Sequence, residues 1–476
     1  MITRRTFLKT SGLATAGLAL GSISELRSMS ATSATRIIGA NRKINLACVG
    51  IGNRGAEIMN DFDRTGLANF VALCDVDLGA PHTQAMMKRF PNAKQFTDFR
   101  EMFDKMGNEI EAVSIAIPDF AHFPVAMLAM SLGKHVYVEK PMARTFYEAE
   151  LMIEAAKKRK NVVTQVGNQG HSEGNYFQFK AWKDAGIIKD VTEVTAHMNS
   201  DRRWYPWDSK MNRYPDAQPV PPTMNWDLWL TTAMHHGYNE KYHPGNWRGW
   251  YDFGMGVLGD WAAHIIDTIH EFLDLGLPYE VNPLKVEGHN NYIFPKESTL
   301  LFRFPKRGKM PPLDITWYEG VNNIPTVPEG YGTSELDPNI PPVAGTTQWQ
   351  PMKLNPGKII YSKDLIFKGG SHGSTLSIIP EAKAKDMASK LPTVPKSPSN
   401  HFANFLLACQ GEEKTRSPFE IHGPLSQLFS LGVIAQRLNT KILFDRTTKQ
   451  ITNDRFANAM LTQTQPRVGW EEYYKL

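Results

Sequence analysis

The chain has 476 residues and a formal net charge of +5. Arg4, Arg5, Lys9, Arg27 and Arg36 against Glu25 put +4 of that charge in the first 40 residues, so the remainder carries about +1 and the net charge gives no argument for nucleic acid or an acidic membrane surface. Three cysteines, Cys48, Cys74 and Cys409, make neither a disulfide framework nor a CxxC metal pattern.

The N-terminus reads MITRRTFLKTSGLATAGLALG. Two adjacent arginines, then Phe7, Leu8 and Lys9, lead into a weakly apolar run, the pattern of a twin-arginine export signal over residues 1–40. The run ends near Ile23, short of the roughly 20 apolar residues that span a bilayer, and no other stretch approaches that length. The expectation is a periplasmic or otherwise exported protein, with no stable membrane insertion once the signal is removed. No cysteine lies near the end of the signal, so a lipoprotein anchor is not expected.

From Lys43 onward, short apolar runs alternate with amphipathic ones. INLACV (44–49), FVALC (70–74), AVSIAI (112–117), HVYV (135–138) and NVVTQV (161–166) predict buried parallel strands. Helices are predicted over 54–64, 80–89, 98–106, 121–132 and 145–159. This alternation predicts an α/β fold, with a doubly wound parallel sheet of the Rossmann type over 41–167. Residues 168–476 read as a second, α+β domain with an open, mostly antiparallel sheet and a C-terminal extension. Its predicted strands are 191–199, 284–293, 298–304, 313–318 and 441–444, and its predicted helices 258–275, 401–409 and 425–438. Residues 320–358, rich in Pro, Gly and Asn, predict an irregular excursion.

Directly after the first strand stands GIGNRG, with Gly50, Gly52 and Gly55 in a GxGxxG pattern and Asn53 and Arg54 between them. The first glycine permits a tight turn, the second a close approach to pyrophosphate, and the third helix–strand packing. Asp75 ends the second strand, 20 residues after Gly55, where an acid binds the adenosine ribose hydroxyls. The three features together predict a dinucleotide site. Asp75 repels a 2′-phosphate and no arginine follows it in CDVDLGAPH, which favours NAD over NADP. Pro118, Asp119 and His122 lie where the fourth strand ends and are further cofactor candidates. Glu139 and Lys140 end the fifth, and Pro141 holds Lys140 out of helical geometry. A lysine there can hold a substrate hydroxyl beside the nicotinamide.

GIGNRG, CDVD, IPD and EKP in this order resemble the Gfo/Idh/MocA family of nicotinamide-dependent oxidoreductases of sugars and polyols. GMGVLGDWAAHIID (254–267) is similar to the family's substrate-domain helix, with Asp260 and His264 on its Asp-x-x-x-His pattern. The similarity runs on through WDLWL (226–230), YHPGNWRGWYDFG (242–254) and PRVGWEEY (466–473), like an exported bacterial branch. The resemblance implies a carbohydrate substrate and a homo-oligomer associating through the open sheet. In the mechanism it implies, His264 is general base, Asp260 orients substrate or imidazole, and Lys140 anchors the hydroxyl. Lys140 as the base is the alternative.

Asn168, Gln169 and His171 follow the last strand of the first domain and are substrate candidates, as are Arg202, Trp247 and Arg248 in arginine–aromatic stretches. His235, His236 and His243 lack acidic or cysteine partners at ligand spacing, so no metal is expected. Two activities compete on this fold. One is net oxidation of a sugar or polyol. The other is a redox-neutral glycoside hydrolase or lyase, with transient oxidation, elimination and re-reduction. Export in the folded state lets the cofactor travel inside its site, and no external NAD pool is expected, so the cofactor should be tightly bound.

Overall fold

Six short segments, four of them mostly apolar, build the first sheet. β1 (Ile44–Val49), β2 (Ala68–Cys74), β3 (Lys94–Phe96), β4 (Ala112–Ile115), β5 (His135–Val138) and β6 (Thr164–Val166) pair in the order β3-β2-β1-β4-β5-β6, every pairing parallel. The order reverses between β1 and β4, so a crevice opens at their carboxyl ends. The computed structural model describes residues 42–200, 210–331, 355–462 and 466–475. The signal segment and Arg202 lie outside the described residues.

The predicted helices appear within one residue at each end: α1 (Arg54–Arg64), α2 (Pro81–Arg89), α3 (Phe99–Met106), α4 (His122–Ser131) and α5 (Phe146–Lys158). Their boundaries have local causes. Asp98 accepts from Arg100 N ahead of α3, and Thr145 with Glu148 forms a reciprocal capping box ahead of α5. On α1, Gly55, Ile58, Met59 and Phe62 make the buried face. Phe62 meets Tyr137, Phe402 and Phe405 at ring distances of 5.2, 5.1 and 6.1 Å. Its truncation to alanine should cost roughly 3–5 kcal/mol. β3 was not predicted, because a three-residue edge strand carries no apolar run.

The second sheet follows α6 (Gly174–Asp184), a helix absent from the prediction. Its strands are β7 (Val191–Met198), β8 (Glu280–Glu287), β9 (Glu297–Phe304), β10 (Leu313–Glu319), β11 (Gly357–Ser362), β12 (Ile366–Gly370), β13 (Leu376–Ile379), β14 (Ile442–Asp445) and β15 (Gln450–Ile451). Their order is β13-β12-β11-β7-β10-β9-β8-β14-β15, and only β7 and β10 run parallel. The predicted strand 284–293 begins earlier and ends at Glu287. The register shifts between Pro283 and Lys285, and the chain then leaves the sheet until Ile293 bridges to Trp250. Residues 357–379, in part predicted irregular, form two hairpins.

The predicted helix 258–275 is broken. Leu258–Ala262 is a π-helical turn, Ala263–Ile265 is one α turn, and α7 (Asp267–Phe272) follows. Lys140 Nζ, from the first domain, lies 2.7 Å from the Asp260 carbonyl, the kind of intrusion that disturbs a helical ladder. Two C-terminal helices tie the sheets together. α8 (His401–Cys409) carries Phe402 and Phe405 to the first core, and α9 (Phe419–Leu438) spans both. Gly423 on α9 admits Ile153, whose side chain would be 2.5 Å from an added Cβ, and Gly432 likewise admits Leu258.

Candidate active site

The glycine turn between β1 and α1 is shaped by contacts that no side chain could share. Gly50 has φ +81°, and a Cβ there would sit 2.3 Å from Ala116 O. At Gly55 the Cβ would be 2.0 Å from Gly50 O. A Cβ on Gly52 would meet nothing nearer than Thr83 Oγ1 at 3.5 Å, so its bare face is turned to a cleft rather than to packing. Asp75 Oδ2 accepts from Ile51 N at 3.0 Å and Oδ1 from Asp77 N at 3.0 Å. Burial raises the Asp75 pKa, and those two amides oppose the rise. The cleft holds about 750 Å³ and runs from Asp75, Asp77 and His82 past Gly50, Gly52, Asn53 and Pro118 to Glu139, Lys140 and Arg248. Its bare glycine face, the amides at the start of α1 and the acceptor carboxylate fit a dinucleotide.

At the inner end, charges from the two domains meet. Lys140 Nζ donates to Asp260 Oδ1 at 2.8 Å and to Asp260 O at 2.7 Å. Arg248 Nε lies 3.1 Å from the same Oδ1, and its guanidinium rests 4.3 Å from the Trp247 ring. Arg54 lies 3.5 Å from Glu139 Oε1, which Gln169 and Tyr137 also contact, at 3.2 and 3.4 Å. Asp119 is buried, with Oδ2 accepting from Met255 N at 3.2 Å and Oδ1 without a partner. Burial pushes its pKa up to about 7 against the opposing charge of Arg248. His264 is buried, and its ring stacks on His372 at 4.1 Å. Burial first, then the charges of Lys140 and His372, hold its pKa far below the usual imidazole range.

Other expected residues stand behind this wall. His122 is buried, with its ring nitrogens 2.9 and 2.8 Å from the carbonyls of Pro141 and Ile117. There it braces the turn carrying Lys140. His171 lies between Asp267 at 3.4 Å and Glu271 at 3.3 Å, with Arg416 O at 3.0 Å. Asn168 donates to Ala263 O and approaches Asp267 Oδ2. These two hold the broken helix against the end of β6. Gln169 braces Glu139, while Trp247 and Arg248 line the inner cleft.

Three features escaped sequence reasoning. His372 sits on the hairpin between β12 and β13, and its N–H donates to His264 O at 2.9 Å. The glycine-rich stretch GGSHGST around it was the available signal. Lys358 on β11 is buried with Nζ unpartnered, and burial lowers its pKa to about 8. Residues from 221 to 245 form the cleft's outer wall.

Comparisons with known proteins agree with this architecture. Residues 44–167 match the NAD-binding Rossmann-fold model of the Gfo/Idh/MocA oxidoreductases, and residues 178–292 match the model of their C-terminal alpha/beta domain. Residues 1–21 match the twin-arginine translocation signal, which marks the chain for export. Inositol 2-dehydrogenase of Salmonella typhimurium is 28% identical over 197 residues, 41% of this chain and 54% of that protein. A glycosyl hydrolase family 109 protein of Shewanella amazonensis is 28% identical over 168 residues, 33% of this chain and 37% of that protein. The chain thus spans about half or less of these curated relatives. Among solved structures, the WlbA dehydrogenase of Bordetella pertussis, in complex with NADH and UDP-GlcNAcA, has a TM-score of 0.55. It is 15% identical, over 85% of this chain and 99% of that one. With both domains matched in order and the glycine turn, Asp75 and Lys140 set along one cleft, the chain belongs to the Gfo/Idh/MocA family of oxidoreductases.

Proposed function

We propose that this protein oxidises a hydroxyl-bearing carbon of a sugar or polyol, using a nicotinamide dinucleotide held tightly in the cleft. The observation that carries this reading is the placement of Lys140 at the cleft's inner end, tied to Asp260 of the other domain. An ammonium has three donors, and Asp260 takes two, which leaves the third for a substrate hydroxyl oxygen. Arg248 on the same carboxylate restrains it, so Lys140 is positioned before substrate arrives. His264 is kept neutral by burial and by the Lys140 cation, so an imidazole nitrogen is unprotonated when substrate arrives. The same surroundings make it a weak base, and it takes the hydroxyl proton with Lys140 lowering the pKa of the bound hydroxyl. The nicotinamide ring, when bound, supplies the acceptor for the hydride. The Lys140 ammonium then stabilises negative charge on the substrate oxygen.

Asp75 and Asp77 at the ribose end of the cleft support NAD over NADP, since both would oppose a 2′-phosphate. The twin-arginine signal supports a periplasmic setting and a cofactor carried out within the folded protein. A homo-oligomer joined through the open sheet belongs to the same reading.

The redox-neutral glycoside cleavage stays as a second reading because of the glycosyl hydrolase family 109 relative. A panel of sugars, polyols and chromogenic glycosides separates the two. Reduction in step with substrate consumption supports net oxidation, whereas aglycone release without net reduction supports the second scheme. If the protein reduces its dinucleotide with no member of the panel and releases no aglycone, both fail.

A further inference from the structure

We propose that residues 221–245 are a cover over the dinucleotide, and that Arg467, on the C-terminal strap of residues 466–475, latches it and sets how long the cofactor stays bound. The proposal rests on the cofactor reading above. The cover faces the glycine turn: Thr223, Leu228, Trp229, Thr231 and Tyr238 line the cleft opposite Gly50 and Asp75. It is seated directly on the loop after β2. Asn225 N donates to Val76 O at 2.8 Å, Met224 bridges to Asp77, and Thr223 packs so closely that a Cβ on Gly79 would be 2.2 Å from it. The cover therefore crosses the cleft at the end where the ribose of the adenosine would lie.

One side chain in the cover lacks a partner within the protein. Thr231 has φ +40°, a region that β-branched residues avoid, and is 5% exposed. Its Oγ1 is buried without a hydrogen bond, and Thr231 is one of the residues that line the cleft. A polar ligand such as a pyrophosphate or ribose oxygen would satisfy it.

Arg467 holds this turn in place. Its Nε donates to Thr231 O at 2.9 Å and one terminal nitrogen to Asp227 O at 2.7 Å, while the other pairs with the Asp227 carboxylate. The strap that carries Arg467 is rooted on the first domain. Trp470 lies 6.1 Å from Phe99 and under Arg100, and Tyr474 OH donates to Glu148 at 2.6 Å. Arg467 touches none of the reacting groups and acts as a positioning residue through Thr231.

The experiment measures dissociation of NADH from the folded full-length enzyme by fluorescence chase with excess NAD. Arg467→Ala should raise the dissociation rate about tenfold or more, as expected for losing several charge-assisted hydrogen bonds. The change should appear in the Kd for NADH and not in the rate of reduction of bound NAD by substrate in a single turnover, and Arg467→Lys should recover part of it. Thr231→Val, nearly isosteric, should weaken NADH binding several-fold while leaving the melting temperature of the cofactor-stripped protein within about 2 °C. This variant decides the matter if Arg467→Ala does not fold. Dissociation rates within twofold of the parent in the folded variants overturn the latch while leaving the cofactor reading intact. A parent protein that binds neither NAD nor NADP overturns both.

Discussion

At the Asp75 end of the cleft the protein presents glycines, backbone amides and the carboxylates of Asp75 and Asp77, whereas at the Lys140 end it presents Lys140 and Arg248, backed by the buried carboxylates of Asp260 and Asp119. The glycine turn and Asp75 at the first end are fixed by local geometry, within a run of about thirty residues, and suit a ligand recognised by its phosphates and ribose. The second end exists only when two domains meet, since Lys140 and Asp260 are 120 positions apart. Ligand binding should therefore respond to backbone changes near Gly50, and turnover to side-chain changes near Lys140. Each substitution below either sharpens that division or breaks it.

The largest effect is expected at Lys140. Lys140→Ala should lower kcat by about a thousandfold, the scale of removing one preorganised charge from a reacting oxygen. NADH affinity should change by only a few-fold, and steady-state kinetics with a binding titration check both. A loss of NADH binding as large as the loss of turnover would erase the contrast between the two ends. His264→Ala should follow the same pattern.

The next effect is on stability and its pH dependence. The Asp119 pKa lies near 7 in the folded protein, above its ordinary value of 3.8, because of burial. Between those two values the folded state holds a proton that the unfolded state has lost. Rising pH therefore removes stability across roughly pH 4–7, and the full penalty, of order a few kcal/mol, is present above pH 7. Asp119→Asn should lose this segment of the pH dependence in denaturant unfolding. A parent and variant with parallel stability profiles between pH 4 and 7 would show that Asp119 stays ionised in the fold.

At the other end, Gly50→Ala should destabilise the protein by roughly 2–4 kcal/mol, because φ is +81° and the Cβ meets Ala116 O. Thermal unfolding reads this directly. Asp75→Ala should have the smallest effect, raising the Kd for NAD about tenfold and narrowing the preference over NADP. An unchanged ratio of the two cofactors would remove Asp75 from the ribose contact.

The same division decides what the sequence could disclose. GIGNRG, Asp75 and EKP announce themselves because each is a turn attached to a strand of strong apolar period. Asp260 and His264 were reachable through their spacing, but the break in their helix was not, because its cause is a lysine from another domain lying against the Asp260 carbonyl. His122 and His171 occupy motif positions, yet their rings brace Pro141 and Asp267 from behind. No local pattern separates a bracing histidine from one that faces a ligand. The hairpins of 357–379 and the cover of 221–245 carry glycines, prolines and aromatics without a period, so their partners emerge only in three dimensions. Arg202 and the export signal lie outside the described residues.

The most direct measurement of the central claim is the absorbance of the purified, folded protein at about 340 nm as a substrate sugar or polyol is added. The prediction is a rise equal to one reduced nicotinamide per active site, without added NAD, and lost in Lys140→Ala and His264→Ala. A protein that carries no dinucleotide and binds none when NAD or NADP is supplied would contradict the account.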